Sequence, residues 1–220
     1  QRQMCIRDRV LGQPDLTSTP TPTPKLAPSI DSKTLTITKG FKDQIKILNA
    51  GGARITYKSS NAKVAAVDSK GKVTAKKKGT ATITVKTSTG FTIPCKVIVK
   101  DNVYTVRKVA VSALPAGSFG VNVYKMSYDK KGNLVLKARM LNNRGYKAKY
   151  LKNFKITVKN GKGKKIGVYS AKKLTINLKS GKSKAYTFKI KKSKLKIKKT
   201  QDLRNASYPK STGKYYYTYR

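Results

Sequence analysis

The chain has no histidine, no glutamate and no tryptophan, and its eight acidic residues are all aspartate. General acid–base chemistry near neutral pH leans on histidine or on a tuned carboxylate. Here the aspartates stand singly in turns and tails, and the nearest pair after residue 28, Asp31 and Asp43, reads as two loop residues. No paired-carboxylate glycosidase site can be assembled from them. Zinc is excluded by the lack of clustered Cys and His. Calcium wants six or more oxygen ligands, and the loop around Asp68 does not offer them. The two cysteines, Cys5 and Cys95, form no disulfide framework and leave the compartment open. No apolar run approaches the ~20 residues of a membrane-spanning helix. The sequence therefore predicts a protein that is not an enzyme and holds neither cofactor nor metal.

Two short strings imitate catalytic motifs and are read as structure. Gly181-Lys182-Ser183 ends like a phosphate-binding loop, but Ile176 stands where that loop needs its earlier glycine, and no helix follows. Ser60-Asn-Ala-Lys63 and Ser170-Ala-Lys-Lys173 satisfy Ser-x-x-Lys. With lysine this abundant such matches arise by chance, and the companion motifs are absent.

What the chain has instead is positive charge: 51 Lys and Arg against 8 Asp, a formal net charge of +43. The excess is uneven. Residues 1–102 carry 19 basic and 6 acidic residues, whereas residues 103–220 carry 32 basic residues with only Asp129 and Asp202. A field of that size favours polyanionic partners. The plainer alternative is that lysine covers the solvent faces and edges of strands.

Apolar alternation of period two recurs along the whole chain, broken every eight to twelve residues by Gly, Asn and Asp, and no window sustains helical spacing. Between residues 55 and 85 the strands are short. Ile55 with Tyr57, Val64 with Val67, Val73, and Ala81-Thr-Ile-Thr-Val85 are separated by Ser-Asn, Ser-Lys-Gly71 and Lys-Gly79 turns. In Phe91-Thr-Ile-Pro-Cys-Lys-Val-Ile-Val99 alternation sets Phe91, Ile93, Cys95, Val97 and Val99 on one face, so Cys95 is expected as a buried small apolar residue. The order Tyr57-Lys-Ser-Ser-Asn61, Val64-Ala-Ala-Val-Asp-Ser-Lys-Gly71-Lys-Val-Thr-Ala75 and Gly79-Thr-Ala-Thr-Ile83 resembles the bacterial immunoglobulin-like domain, group 2, over about residues 33–100. Tyr57 stands where that family usually has Trp, both being aromatics able to fill a sandwich core. The resemblance implies a module of bacterial surface proteins.

The expected organisation has three parts. Residues 1–29 hold a leader and a linker. Gln1 to Arg9 fits neither domain, lacks the apolar core of a signal peptide, resembles translated adapter sequence and is expected to be non-native. The Thr/Pro-rich stretch Thr17–Pro28 is held extended by its prolines and suits a tether. Residues 30–101 form the first domain. Residues 103–220 form a second, basic β-sandwich with a Tyr-rich tail. In it Leu114-Pro-Ala-Gly-Ser-Phe-Gly-Val-Asn-Val-Tyr124, the Leu-x-x-Arg-x-x-Asn-Asn run of residues 136–143, and Leu178-Lys-Ser-Gly-Lys-Ser-Lys-Ala-Tyr-Thr-Phe188 resemble the S-layer-associated-protein domain of Gram-positive bacteria. The fold class expected is all-β, two tandem antiparallel immunoglobulin-like sandwiches.

The candidate site residues are lysines. In residues 189–199 they alternate with Ile190, Leu195 and Ile197. If those three point inward, Lys189, Lys191, Lys194, Lys196 and Lys198 form a cationic stripe, with room for an irregularity at Lys192–Ser193. Lys162, Lys164 and Lys165 form a second cluster, and Lys172 with Lys173 a third. Tyr215, Tyr216, Tyr217 and Tyr219 sit in a basic tail where they could stack on bases or sugars. The simpler expectation is a last strand burying Tyr215, Tyr217 and Tyr219 on one face. These features predict a secreted or wall-associated binding and spacing module attracted to anionic wall polymers. The alternatives are a nucleic-acid or general polyanion binder, weakened by Lys outnumbering Arg, and the accessory region of a wall hydrolase.

Overall fold

The computed structural model describes residues 26–197 and 199–218. The leader, most of the Thr/Pro tether, Cys5, Lys198 and Tyr219 lie outside them. Alternation becomes strand nearly everywhere. The first nine are β1 (Ser29–Ile30), β2 (Thr34–Thr38), β3 (Lys42–Gln44), β4 (Ile47–Leu48), β5 (Ile55–Ser59), β6 (Ala65–Val67), β7 (Lys72–Ala75), β8 (Gly79–Thr87) and β9 (Thr92–Lys100). They make a sheet of order β2-β9-β8-β5, a second of order β3-β7-β6, and the small pair β1-β4. Ala81, Ile83 and Val85 of β8 and Cys95, Val97 and Val99 of β9 join Ala65, Val73 and Ala75 of the second sheet in one buried cluster. The sheets thus pack face to face. One pairing departs from the expected antiparallel pattern: β2 runs parallel to β9, Thr34 opposite Lys96 and Thr38 opposite Lys100. The rest of the sandwich intervenes between these two strands, so no hairpin constrains their direction.

Two residues of the first sandwich sit less deeply than expected. Phe91 falls one residue before β9 in the β8–β9 hairpin and is 44% exposed. Tyr57 is half-buried at the rim of the core, with its ring against the backbone of Gly71. Gly71 has φ +77°, and a Cβ there would come within 2.7 Å of the Tyr57 ring and hydroxyl. Glycine is required twice over, by its backbone and by its neighbour. Cys95 is fully buried, and burial pushes its thiol pKa up.

Seven further strands build the remainder: β10 (Val103–Thr105), β11 (Phe119–Tyr128), β12 (Leu134–Asn142), β13 (Lys147–Lys159), β14 (Lys165–Leu178), β15 (Lys182–Ile190) and β16 (Lys210–Thr218). Their sheets have orders β10-β11-β12-β15 and β14-β13-β16. Leu134, Leu136, Phe188 and Ile190 of one sheet share a buried cluster with Leu151, Phe154, Ile156 and Ile176 of the other. The inward set of β11 changes parity, from Val123 to Met126, because a bulge lies between Val123 and Lys125. The Asn-Asn pair of the Leu136–Asn143 run has a structural use. Asn142 is fully buried and donates to the carbonyls of Tyr146 (2.8 Å) and Leu178 (2.9 Å). Asn143 donates to the carbonyl of Leu114 at 2.8 Å, tying the two quoted segments together.

One turn recurs three times. Asp68, Asp129 and Asn160 each accept, through the side-chain Oδ1, the backbone N–H groups two and four residues on, at 2.9–3.1 Å. Their main-chain carbonyls accept from Gly71, Gly132 and Gly163, whose φ values are +77°, +77° and +75°. An Asx side chain followed three residues later by Gly therefore closes three of the hairpins. The Ser60-x-x-Lys63 string is likewise structural: Ser60 Oγ accepts the N–H of Thr82 at 2.9 Å, and Asn61 caps the N–H of Lys63.

Candidate functional site

The densest run of lysines in the sequence, residues 189–199, begins where β15 ends. Residues 189–199 do not continue as a strand. The ladder with β12 closes at Ile190, and Lys192–Lys194 form a 3-10 turn. The N–H of Lys192 is held by Asn133 Oδ1 at 2.9 Å, which pins this turn to the β11–β12 hairpin. Leu195 is then buried against β14 at Gly167, where a Cβ would lie 3.1 Å from the leucine side chain, and the N–H of Lys196 donates to Ile166 at 2.8 Å. Ile190 and Leu195 do point inward, while Ile197 is only partly covered. The result is a cluster and not a stripe. Lys189, Lys191, Lys194 and Lys196 surround a shallow depression on Val168, Tyr169 and Ser170 of β14. Lys198, the fifth expected member, falls outside the described residues.

Charge in this cluster is nearly uncompensated. Lys189 lies 3.3 Å from Asp129, and among the described residues no other ion pair involves its lysines. The Asp129 carboxyl is held down to about 2, chiefly by the Asn133 amide that donates to it, with the Lys189 ammonium adding to the effect.

The second and third expected groups lie along the same strand. Lys162, Lys164 and Lys165 are exposed on the Asn160–Lys164 turn and the first residue of β14. Lys172 and Lys173 are exposed further along β14, where the Lys173 ammonium sits 4.5 Å above the ring of Tyr150. Tyr215 and Tyr217 pack partly buried on the second core, as the alternation predicts, and Tyr216 takes the opposite face. Lys152, Lys214 and Tyr150 accompany Lys173 and Tyr216 there and are not among the site residues expected from the sequence. The signal was available for one of them: residues 210–217 alternate Lys210, Thr212 and Lys214 with Ser211, Gly213 and Tyr215, which is a strand pattern.

Among the described residues, no three His, Cys, Asp or Glu side chains come together as a metal site, and no helix is long and apolar enough to cross a membrane. The Asp68 carboxylate is spent on the N–H groups of its own turn, and the bond from Lys72 is the main cause that lowers its pKa.

Residues 41–89 match the family model of the intimin immunoglobulin-like domain. That match agrees with the all-β sandwich of the first half. Among solved structures, a bacterial Ig-like domain containing GH10 xylanase from termite gut is 24% identical over 38% of this chain and 21% of that one, with a TM-score of 0.28. Domains 5-6 of the S-layer protein SbsC are 15% identical over 75% of this chain and 95% of that one, with a TM-score of 0.27. The Bacteroides ovatus mixed-linkage glucan utilization locus protein SGBP-B, in complex with a mixed-linkage heptasaccharide, is 13% identical over 85% of this chain and 50% of that one, with a TM-score of 0.20. The chain thus spans about a fifth of the xylanase and half of SGBP-B. No curated protein matches the sequence.

Proposed function

We propose that this chain is a non-catalytic binding and spacing module of a bacterial surface or cell-wall protein, held partly by attraction to anionic wall polymers such as teichoic acids. The observation that carries the reading is the exposed Lys191, Lys194 and Lys196 cluster, which has no carboxylate partner among the described residues, in a half of the chain with a formal charge of +30. Such a surface costs self-repulsion and gains from a polyanion. The match to an intimin Ig-like domain supports the surface setting, and the finer assignments to the group 2 and S-layer-associated domains rest on the quoted motifs. On this reading the domains divide at residues 101–103, the protein is extracellular, and a polar Thr/Pro tether spaces it from its anchor.

The test is binding of the chain to purified teichoic acid at increasing salt. Affinity should fall steeply between 0.1 M and 1 M, where the Debye length shrinks from ~10 Å to ~3 Å. Replacing Lys191, Lys194 and Lys196 by Gln should weaken binding without unfolding the protein. Salt-insensitive binding would overturn the electrostatic reading. A strong base-sequence preference would favour the nucleic-acid alternative.

A further inference from the structure

The outer face of the β14-β13-β16 sheet carries an arrangement that solvation alone does not call for. In the register of the sheet, Lys152 of β13 is directly opposite Lys173 of β14 on one side and Lys214 of β16 on the other. All three are exposed. Three lysines therefore stand abreast across the full width of the sheet, on strands ~4.8 Å apart. Like charges directly opposite one another destabilise a sheet. Any polar residue would keep that face wet, as Thr175 and Thr212 do on the same strands.

The adjacent row is aromatic. Tyr150 is opposite Tyr216, with ring centroids 4.7 Å apart and planes 16° from parallel. Lys173 lies 4.5 Å from one ring centroid and Lys152 lies 5.0 Å from the other. The chain is shaped locally to allow this. β13 slips its register between Ala148 and Tyr150 and again between Lys152 and Lys155. At the second slip Asn153 takes φ +50°, a left-handed conformation that asparagine tolerates. The slips let Ala148, Leu151 and Phe154 all point into the core while Tyr150 and Lys152 both face out.

We infer that this face binds an acidic polysaccharide, with carboxylates on the Lys173–Lys152–Lys214 row and sugar rings against the Tyr150–Tyr216 pair. The inference rests on the polyanion reading above and narrows it to a ligand class and a second site. Cation–π contact lets the lysines rest on the rings when no ligand is present. A carboxylate draws the ammonium groups away and frees the ring faces for the apolar face of a sugar. A bare phosphate chain would engage the lysines and gain nothing from the tyrosines.

The experiment uses the full chain and three probes: polygalacturonate, inorganic polyphosphate and poly(dT). Lys152→Gln with Lys173→Gln and Lys214→Gln should weaken polygalacturonate binding at least about tenfold. The charge-matched control, Lys76→Gln with Lys77→Gln and Lys78→Gln, should change it less than about threefold. Tyr150→Leu with Tyr216→Leu should weaken polygalacturonate by about tenfold and leave polyphosphate within about twofold. The melting temperature of the face variant is measured alongside and should stay close to that of the parent, since the like charges and the cation–π contacts it removes act in opposite directions; that separates its effect on binding from unfolding. Equal losses in the face and control variants would overturn the inference, as would tyrosine variants that bind polygalacturonate normally. Tighter binding of poly(dT), lost with the tyrosines, would reassign the face to single-stranded nucleic acid. If the chain binds polyphosphate but not polygalacturonate, only this inference fails; if it binds neither, the broader reading fails with it.

Discussion

Thr38, at the end of β2, donates its hydroxyl to both carboxylate oxygens of Asp202, 3.0 Å away and 164 positions along the chain. Arg204 Nη1 donates to the same hydroxyl at 3.2 Å. The backbone of Arg204 and the amide of Asn205 complete the shell of Asp202. Only Asp101 and Asn102 separate β9 from β10, and Asn102 binds the same returning segment through Gln201 and Leu203. The segment 201–205 thus fastens the second sandwich to the edge strand of the first, which turns a two-residue connection into a joint with several attachment points.

Thr38→Val removes the hydroxyl with little change of shape. Hydrogen bonds to charged groups contribute about 1.5–3 kcal/mol. The variant should lose stability in that range in urea denaturation and should separate the unfolding of the two halves. A loss under about 0.5 kcal/mol would place the joint open in solution.

Gly71→Ala should cost more than Gly40→Ala. Both positions have positive φ, but Gly40 faces open space while Gly71 faces the Tyr57 ring. Backbone strain alone is about 1–2 kcal/mol, and the clash adds to it. Combining Gly71→Ala with Tyr57→Ala should recover part of the loss, giving a coupling above about 0.5 kcal/mol in a double-mutant cycle. Additive losses would show that the ring does not rest on this glycine.

Asp129 should contribute to the acid limb of stability. Its pKa is lowered from 3.8 to about 2 in the folded protein. A group depressed in this way stabilises the fold above the unfolded value, and the stabilisation is lost as pH falls through about 4 toward about 2. Asp129→Asn should flatten the dependence of melting temperature on pH in that window. An unchanged acid limb would mean that the turn is not formed around this carboxylate.

Cys95 should be inert to thiol reagents in the folded protein. Burial both shields the sulfur and raises its pKa, which suppresses the thiolate. In a Cys5→Ser background, titration with a disulfide reagent should detect no fast-reacting thiol until denaturant is added. Rapid labelling under native conditions would show that the β2–β9 side of the core opens readily.

Apolar alternation broken by Gly, Asn and Asp is enough to read the all-β class, the inward set of β8 and the buried state of Cys95. These are local properties: a strand shows one face to the core, and three of its turns close on themselves through an Asp or Asn side chain. Pairing partners were decided elsewhere. β2 lies parallel to β9 because an edge strand without a hairpin is free in direction, and local pattern does not encode that. The end of the β15 ladder at Ile190 depended on Asn133 and Gly167, two residues remote in sequence that hold the turn and admit Leu195. The Lys173–Lys152–Lys214 row and its tyrosines come from three strands, set abreast by two register slips in β13. Lysine content alone announced a basic surface, and only long-range register determined which lysines became neighbours.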